Sequence, residues 1–404
     1  MRPLPPSITA ATAVLATLLA MLAGCQAPAN RSPGPPTAAA SLLKPNPTLA
    51  EVPLPALAGW NASLILDNAG VGIWTVEPFQ IFPQTATPEL VGLDDLGRAH
   101  ICSGYSGKWT PTTVVADGKW LGGLAHADAD PRIPGPETYT GSQQGNLYQI
   151  VSWPHGFLDY RLIAHIPGRE IHTLLAGDID AASPGPEIIV FTRPGGIFRV
   201  TPTGPHGTFE TRSLGEYDGR IRQAIPLPTS PGSLPTFATV SHNGRLERLT
   251  LEAAGPRWET LHQAPMGMSR VALRPGSSPT HLTLYATLDD GRVLRFERTG
   301  DNPWATELIY NGPQGARGVV AGPFGESPET ETVAIFGYSG RVELLTRTPS
   351  GWKPETLFTD LDKGHWLTAA ELDGRNSTLE IVSSGYSGRM VLLSRPPGYG
   401  QRPR

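Results

Sequence analysis

Cysteine is the scarcest residue in this sequence, with two in 404 residues, at Cys25 and Cys102. Two thiols, of which the reading of the N-terminus below commits Cys25 to another use, supply no disulfide framework, so the folded part must rest on a packed core. Helical periodicity is missing too: no long stretch repeats apolar residues at three- and four-residue intervals. The longest apolar run, Ile8 to Leu22, is too short for a spanning helix with ordinary flanks. Charged residues make up only 17%, and the net charge of -4 gives no basic footprint, which excludes nucleic acid as a partner. There is no Gly-x-Ser-x-Gly elbow, no His-Glu-x-x-His, no Walker loop and no Cys-x-x-Cys.

What the sequence does have begins at its N-terminus. A short positive start with Arg2 leads into the apolar run and ends in Leu22-Ala23-Gly24-Cys25. That order resembles the lipobox of bacterial lipoproteins. The resemblance implies a signal peptide over 1–24, acylation of Cys25 and anchoring in a lipid bilayer. Gln26 follows where Asp would signal inner-membrane retention, so the expected location is the cell envelope, at the outer membrane if there is one. From 25 to 55 the chain is rich in Pro, Ala, Ser and Thr, a composition that cannot offset its ordering entropy and reads as a tether.

The remaining chain is rich in Gly and Pro, 46 and 42 residues in all, which favours many short strands and turns. A Gly opening an apolar-alternating strand recurs at Gly97, Gly145, Gly196, Gly244, Gly291, Gly340 and Gly388, at spacings of 48, 51, 48, 47, 49 and 48. A tight hairpin needs positive φ at a central residue, which is the reason for glycine. An apolar strand precedes each glycine, as in Glu89-Leu-Val-Gly-Leu and Glu380-Ile-Val-Ser-Ser. Another short strand lies before that, and an aromatic about twelve residues after the glycine opens a fourth. Trp109, Phe157, Phe209, Trp258, Trp304 and Trp352 hold that place, and Trp258, Trp304 and Trp352 are expected to fill the space between units.

Four strands per fifty-residue unit make the fold class all-β, a seven-bladed β-propeller over 56–396 with a short tail at 397–404. The seventh unit ends after three strands, and Trp60-Asn-Ala-Ser-Leu-Ile-Leu-Asp resembles the fourth strand that begins at Trp352. Pairing this N-terminal strand onto the last blade would close the ring and remove an open edge.

The segment Ala176-Gly-Asp-Ile-Asp-Ala-Ala-Ser-Pro-Gly-Pro-Glu-Ile-Ile-Val resembles FG-GAP/VCBS-type propeller repeats, as does the segment from Ala370 to Val382. Calcium is the cofactor that resemblance implies. Asp128/Asp130, Asp178/Asp180 and Asp373 are only fragments of an acidic loop, short of the six or more oxygens calcium takes. No metal site and no cofactor are therefore expected from the residues themselves.

Alignment on the turn glycines exposes one column, 21 to 25 residues upstream, at the start of each first strand: Trp74, Trp120, His172, Arg222, Arg270, Arg317 and His365. In a propeller these starts ring one mouth of the central channel, and the turns of the same face add Tyr338 and Tyr386, with His242, Asp95 and Asp289 on other blades. Arginine forks bind carboxylate, sulfate or phosphate. Indole faces stack on sugar rings, while His and Tyr exchange protons. The expected ligand is an anionic saccharide or another small anion. The same residues in structural roles, Arg paired with Asp of the next blade and Trp packed, make the bland alternative. Two further functions stay open. One is a carbon-oxygen lyase or dehydratase acting on uronate glycans, with His172 or His365 as base and Tyr338 or Tyr386 as acid. The other is a scaffold whose rim binds protein partners.

Overall fold

The computed structural model describes residues 52–396, apart from short segments at 106–107, 154–155, 180–184, 204–206, 253, 313–314, 326, 328 and 373–377. The expected signal segment, Cys25, the expected tether before residue 52, the tail from 397, Asp180 and Asp373 lie outside the described residues.

The chain forms seven antiparallel sheets in a ring, a seven-bladed β-propeller. The innermost strands of blades 1 to 7 are Ile73–Phe79, Leu121–Ala127, Glu170–Gly177, Ile221–Pro226, Met268–Leu273, Ala316–Ala321 and Gly364–Ala370. They touch one another in ring order, and the strand of blade 7 touches that of blade 1. Seven hydrophobic clusters sit in the seven spaces between neighbouring blades. Each blade therefore buries its apolar faces only against its two neighbours, and stability accrues around the circle.

Closure follows the expected pairing. Asn61–Asp67 pairs antiparallel with Arg389–Ser394, from Asn61 opposite Ser394 to Asp67 opposite Arg389. The sheet goes one strand further than expected: Val52–Leu54 pairs outside Asn61–Asp67, so blade 7 has five strands and begins ahead of residue 56. Trp60 is the clasp. Its ring is buried in the cluster between blades 6 and 7, and the Arg395 guanidinium lies 4.3 Å above its centroid. Arg395 also donates to the carbonyls of Ala58 and Phe324, tying the entering chain to the sixth and seventh blades.

The turn glycines have a second duty beside their dihedral. At Gly97 (φ +75°) and Gly145 (φ +81°) a Cβ would come within 2.4 Å of the Lys119 carbonyl oxygen and 2.3 Å of the Ile166 carbonyl oxygen. The chain leaving each outer strand crosses directly over the turn. In six blades the glycine carbonyl accepts a backbone N–H there, from Asp117, Ile166, Ala264, Gly312, Asp360 and Asn68 in turn. Blade 3 departs from the expectation: its turn is Pro194-Gly195, Gly196 has no positive φ, and Gly195 accepts the equivalent bond from Tyr217.

A recurring acid caps the loops on the far side. The second strands of blades 1, 2, 3 and 7 open with Glu89, Glu137, Glu187 and Glu380, all buried. Each carboxylate accepts the N–H of the residue eight positions earlier, Ile81, Ala129, Ile179 and Leu372; in blade 6 the Thr332 hydroxyl takes the same bond from Phe324. Buried loop amides need such partners. Of the outer-strand aromatics, Trp109 is buried and Phe209, Trp258, Trp304 and Trp352 pack against the clusters. Phe157 does not: it is 62% exposed.

Replacing Trp60 with Ala should cost about 3–5 kcal/mol, the usual loss for a buried large aromatic. Chemical denaturation measures it, and a loss below about 1 kcal/mol would mean that ring closure does not lean on this side chain.

Candidate functional site

The seven column residues and both tyrosines, Trp74, Trp120, His172, Arg222, Arg270, Arg317, His365, Tyr338 and Tyr386, line one cavity of about 640 Å³ at a channel mouth. The turn bonds described above explain the convergence. Each column residue follows three to six positions after the amide that is pinned to the preceding blade's glycine, so the chain has little freedom to place it elsewhere.

Within the mouth the arginines are not equivalent. Arg222 Nη1 lies 2.7 Å from Asp289 Oδ1, and its Nη2 donates to His242 Nδ1 at 2.8 Å. Arg317 Nη1 is 3.0 Å from the same carboxylate oxygen and 3.0 Å from Ser269 Oγ, while Nη2 donates to the Tyr338 hydroxyl at 3.1 Å. One Asp thus serves two arginines, as the bland alternative anticipated. Arg270 differs. It is 5% exposed, stacks 4.5 Å over the Trp366 ring and donates to the Ser269 carbonyl at 2.7 Å. No described carboxylate lies within ion-pairing distance of it. Burial, with Arg317, Arg222 and Arg220 close by, pushes its guanidinium down to about 9.

The histidines are neutral. His365 Nδ1 lies 2.8 Å from the Trp74 carbonyl and must donate to it, so Nε2 carries the lone pair, 3.5 Å from Arg270 Nη2. Burial and then Arg270 hold His365 well below the usual imidazole range; burial, Arg220 and Arg270 do the same to His172. The Tyr338 and Tyr386 hydroxyls are 3.4 Å apart. Burial alone would raise Tyr338, but the bonds from Tyr386 and Arg317 outweigh it and leave Tyr338 the more acidic of the pair, while Tyr386 is pushed up to about 12. The aromatic arc is tight: Trp74 packs edge-on against Tyr386 at 4.6 Å and His365 at 4.7 Å, and its Nε1 donates to Asp95.

Four charged groups of the cavity, Arg193, Arg220, Glu170 and Glu77, had no place in the aligned column. Arg193 and Arg220 add two cations; Arg193 sits 3.5 Å from Glu170, and no described carboxylate lies within ion-pairing distance of Arg220. Glu77 lies further down the first strand of blade 1, where alternate residues face the lumen. Burial pushes its carboxyl up to about 7, against a long Thr368 hydrogen bond and the field of Arg270. Arg220 precedes the strand and Glu77 sits three residues beyond the column, so neither falls in the aligned register. Asp130, one of the acidic-loop fragments, is spent within the protein on Arg132 and Arg161, both at 2.6 Å.

No family model matches the chain, and no curated protein matches it. Solved structures do, at the level of fold. The β-propeller domain of Myceliophteria thermophila Cps50 (Swd1) aligns with TM-score 0.54 and 10% identity, over 84% of this chain and 99% of that one. YCF48 bound to D1 peptide gives TM-score 0.54 and 15% identity over 87% and 100%, and BBS1N in complex with ARL6DN gives 0.55 and 12% over 84% and 98%. These similarities show the propeller and nothing finer, because one such ring hosts many unrelated sites.

Glu77 supplies a pH test of the channel. A carboxyl raised by folding binds its proton more tightly in the folded state, so its stabilising contribution is full at low pH and fades as pH rises through about 7. Glu77→Gln should therefore leave stability nearly unchanged at pH 5 and gain about 1–3 kcal/mol over the parent at pH 8, read from paired denaturation curves.

Proposed function

We propose that the channel mouth binds an anionic ligand, most suitably an acidic saccharide, on an envelope protein anchored through acylated Cys25. The observation that carries the reading is Arg270: a buried cation, among other cations, without a described carboxylate in ion-pairing reach. A buried charge left unpaired is costly, and a bound carboxylate or sulfate would supply the missing counter-charge. Trp74, Trp120 and Tyr386 offer ring faces beside it, suited to the apolar side of a sugar. The neutral His365 Nε2 and the acidic Tyr338 also supply what a lyase on uronate glycans would use as base and acid, so turnover belongs in the test. A rim that receives a partner polypeptide is the second reading, favoured by YCF48 and BBS1N having been solved with a D1 peptide and with ARL6DN.

Uronate and sulfated oligosaccharides should raise the unfolding temperature of the protein, less so as salt rises. Arg270→Gln should weaken that binding about ten- to a hundredfold, the usual worth of a charge-assisted contact. Without ligand the variant should be at least as stable as the parent at pH 7, because the depressed guanidinium penalises the folded state below about pH 9. A ligand response that survives Arg270→Gln, or none from any anion, rejects the reading. Release of unsaturated products, followed by absorbance, would make the site an enzyme's.

The anchor has its own test. Mass spectrometry of the native protein should find a mature chain beginning at acylated Cys25, and Cys25→Ala should leave unprocessed precursor. An unmodified Cys25 in the native protein removes the anchor from the proposal.

A further inference from the structure

Sheet edges invite pairing, and proteins blunt them with proline, charge or a covering strand. This ring applies those devices unevenly. The outer strands of blades 1, 4 and 6, Lys108–Ala116, Gly255–Gln263 and Gly351–Thr359, carry Pro111, Pro256 and Pro354. In blade 3, Thr208–Glu216 is polar at every fully exposed side chain, and blade 7 is covered by Val52–Leu54. The outer strands of blades 2 and 5, Phe157–His165 and Ala305–Asn311, have neither Pro nor Lys, and that of blade 5 exposes one large apolar side chain, Leu308. The outer strand of blade 2 and its hairpin partner hold four of the ten exposed large hydrophobic side chains among the described residues: Trp153 at 37%, Phe157 at 62%, Tyr160 at 41% and Leu162 at 54%.

The order of residues on that strand points to its occupant. Read outward from Tyr160 it is self-complementary. Asp159 on one side matches Arg161 on the other and Leu158 matches Leu162, as far as the bulge at Ile163. An antiparallel neighbour of the same sequence, related by a two-fold axis through Tyr160, would set Asp159 opposite Arg161 twice and apolar residues opposite apolar ones. Directly opposed residues share a face of a sheet, so each match meets its partner. Arg161 is held by Asp130 and Gln149 at 2.6 Å, yet its side chain stays 39% exposed, and Asp159, which accepts the Tyr160 N–H, is exposed too.

We infer that blade 2 is a dimerisation edge: two copies of this chain pair their Phe157–His165 strands antiparallel about Tyr160, joining two four-stranded blades into one continuous sheet. The contact is isologous, so it closes at two copies and leaves no further edge to propagate.

Sedimentation equilibrium of the full-length chain tests this. The expected result is a monomer–dimer equilibrium in the micromolar range. Tyr160→Lys, which sets two ammonium groups on the dyad, should weaken it at least tenfold with the unfolding temperature unchanged. Tyr160→Cys should oxidise to a disulfide-linked dimer, since directly opposed strand residues fall within disulfide reach. Leu308→Cys, on the blade 5 outer strand and 53% exposed, is the control and should not cross-link at that rate. A chain that stays monomeric, a dimer indifferent to Tyr160→Lys, or equal cross-linking at both cysteines would overturn the inference.

Discussion

One hydrogen bond, made seven times, organises this molecule. The carbonyl of the glycine in each blade's second hairpin accepts an amide from the chain as it leaves the outer strand and heads for the next blade. At Gly97, Gly145, Gly195, Gly244 and Gly388 the crossing backbone comes within 2.6 Å of where a Cβ would stand, which leaves room for glycine alone. The bond fixes the path from the rim back to the channel, and with it the first side chain that reaches the lumen. Blade 3 keeps the bond while changing the turn that supplies it, which separates the constraint from its usual sequence.

The functional consequence is a mouth where side chains are gathered by backbone geometry, whatever their mutual repulsion. Four arginines, Arg220, Arg222, Arg270 and Arg317, come together around two neutral histidines, with Asp289 shared by two of them. Such a cluster opposes folding locally and is tolerated because the spaces between blades, packed with aliphatic and aromatic side chains, supply the stability elsewhere. Stored electrostatic strain of this kind marks functional sites more often than structural ones, although networks such as Arg295 with Glu297 and Glu331 show that the same protein also builds purely structural ion pairs.

Much of this was legible in the sequence, for identifiable reasons. The turn glycines announce the blades because only glycine fits beneath the crossing chain. The column from Trp74 to His365 could be read because it is tied to those glycines at nearly constant spacing. Arg220 and Glu77 lie off that register and were invisible to it. The glutamates that open the second strands stood in plain view, but their role could not be seen, since an acid before an apolar strand reads as a surface residue until the loop amides it receives are known. Phe157 shows the converse limit: it shares the column of the packing tryptophans Trp258, Trp304 and Trp352, yet its side chain is exposed to solvent. The pairing of two arginines with Asp289 also lay beyond reach, because it joins positions 67 and 28 residues apart on three different blades.

Because Asn61 finds its partner only at Ser394, the first strand of the ring must wait for the last. During synthesis every earlier blade can assemble as it emerges, but the opening pair of Val52–Leu54 and Asn61–Asp67 has no blade to join until nearly the whole chain is available. A polypeptide cut short anywhere before Arg389 would carry an unsatisfied strand at its beginning. The ring therefore reports its own completeness, and a fragment is distinguishable from a finished molecule by an exposed N-terminal segment that any protease surveying newly made chains could seize.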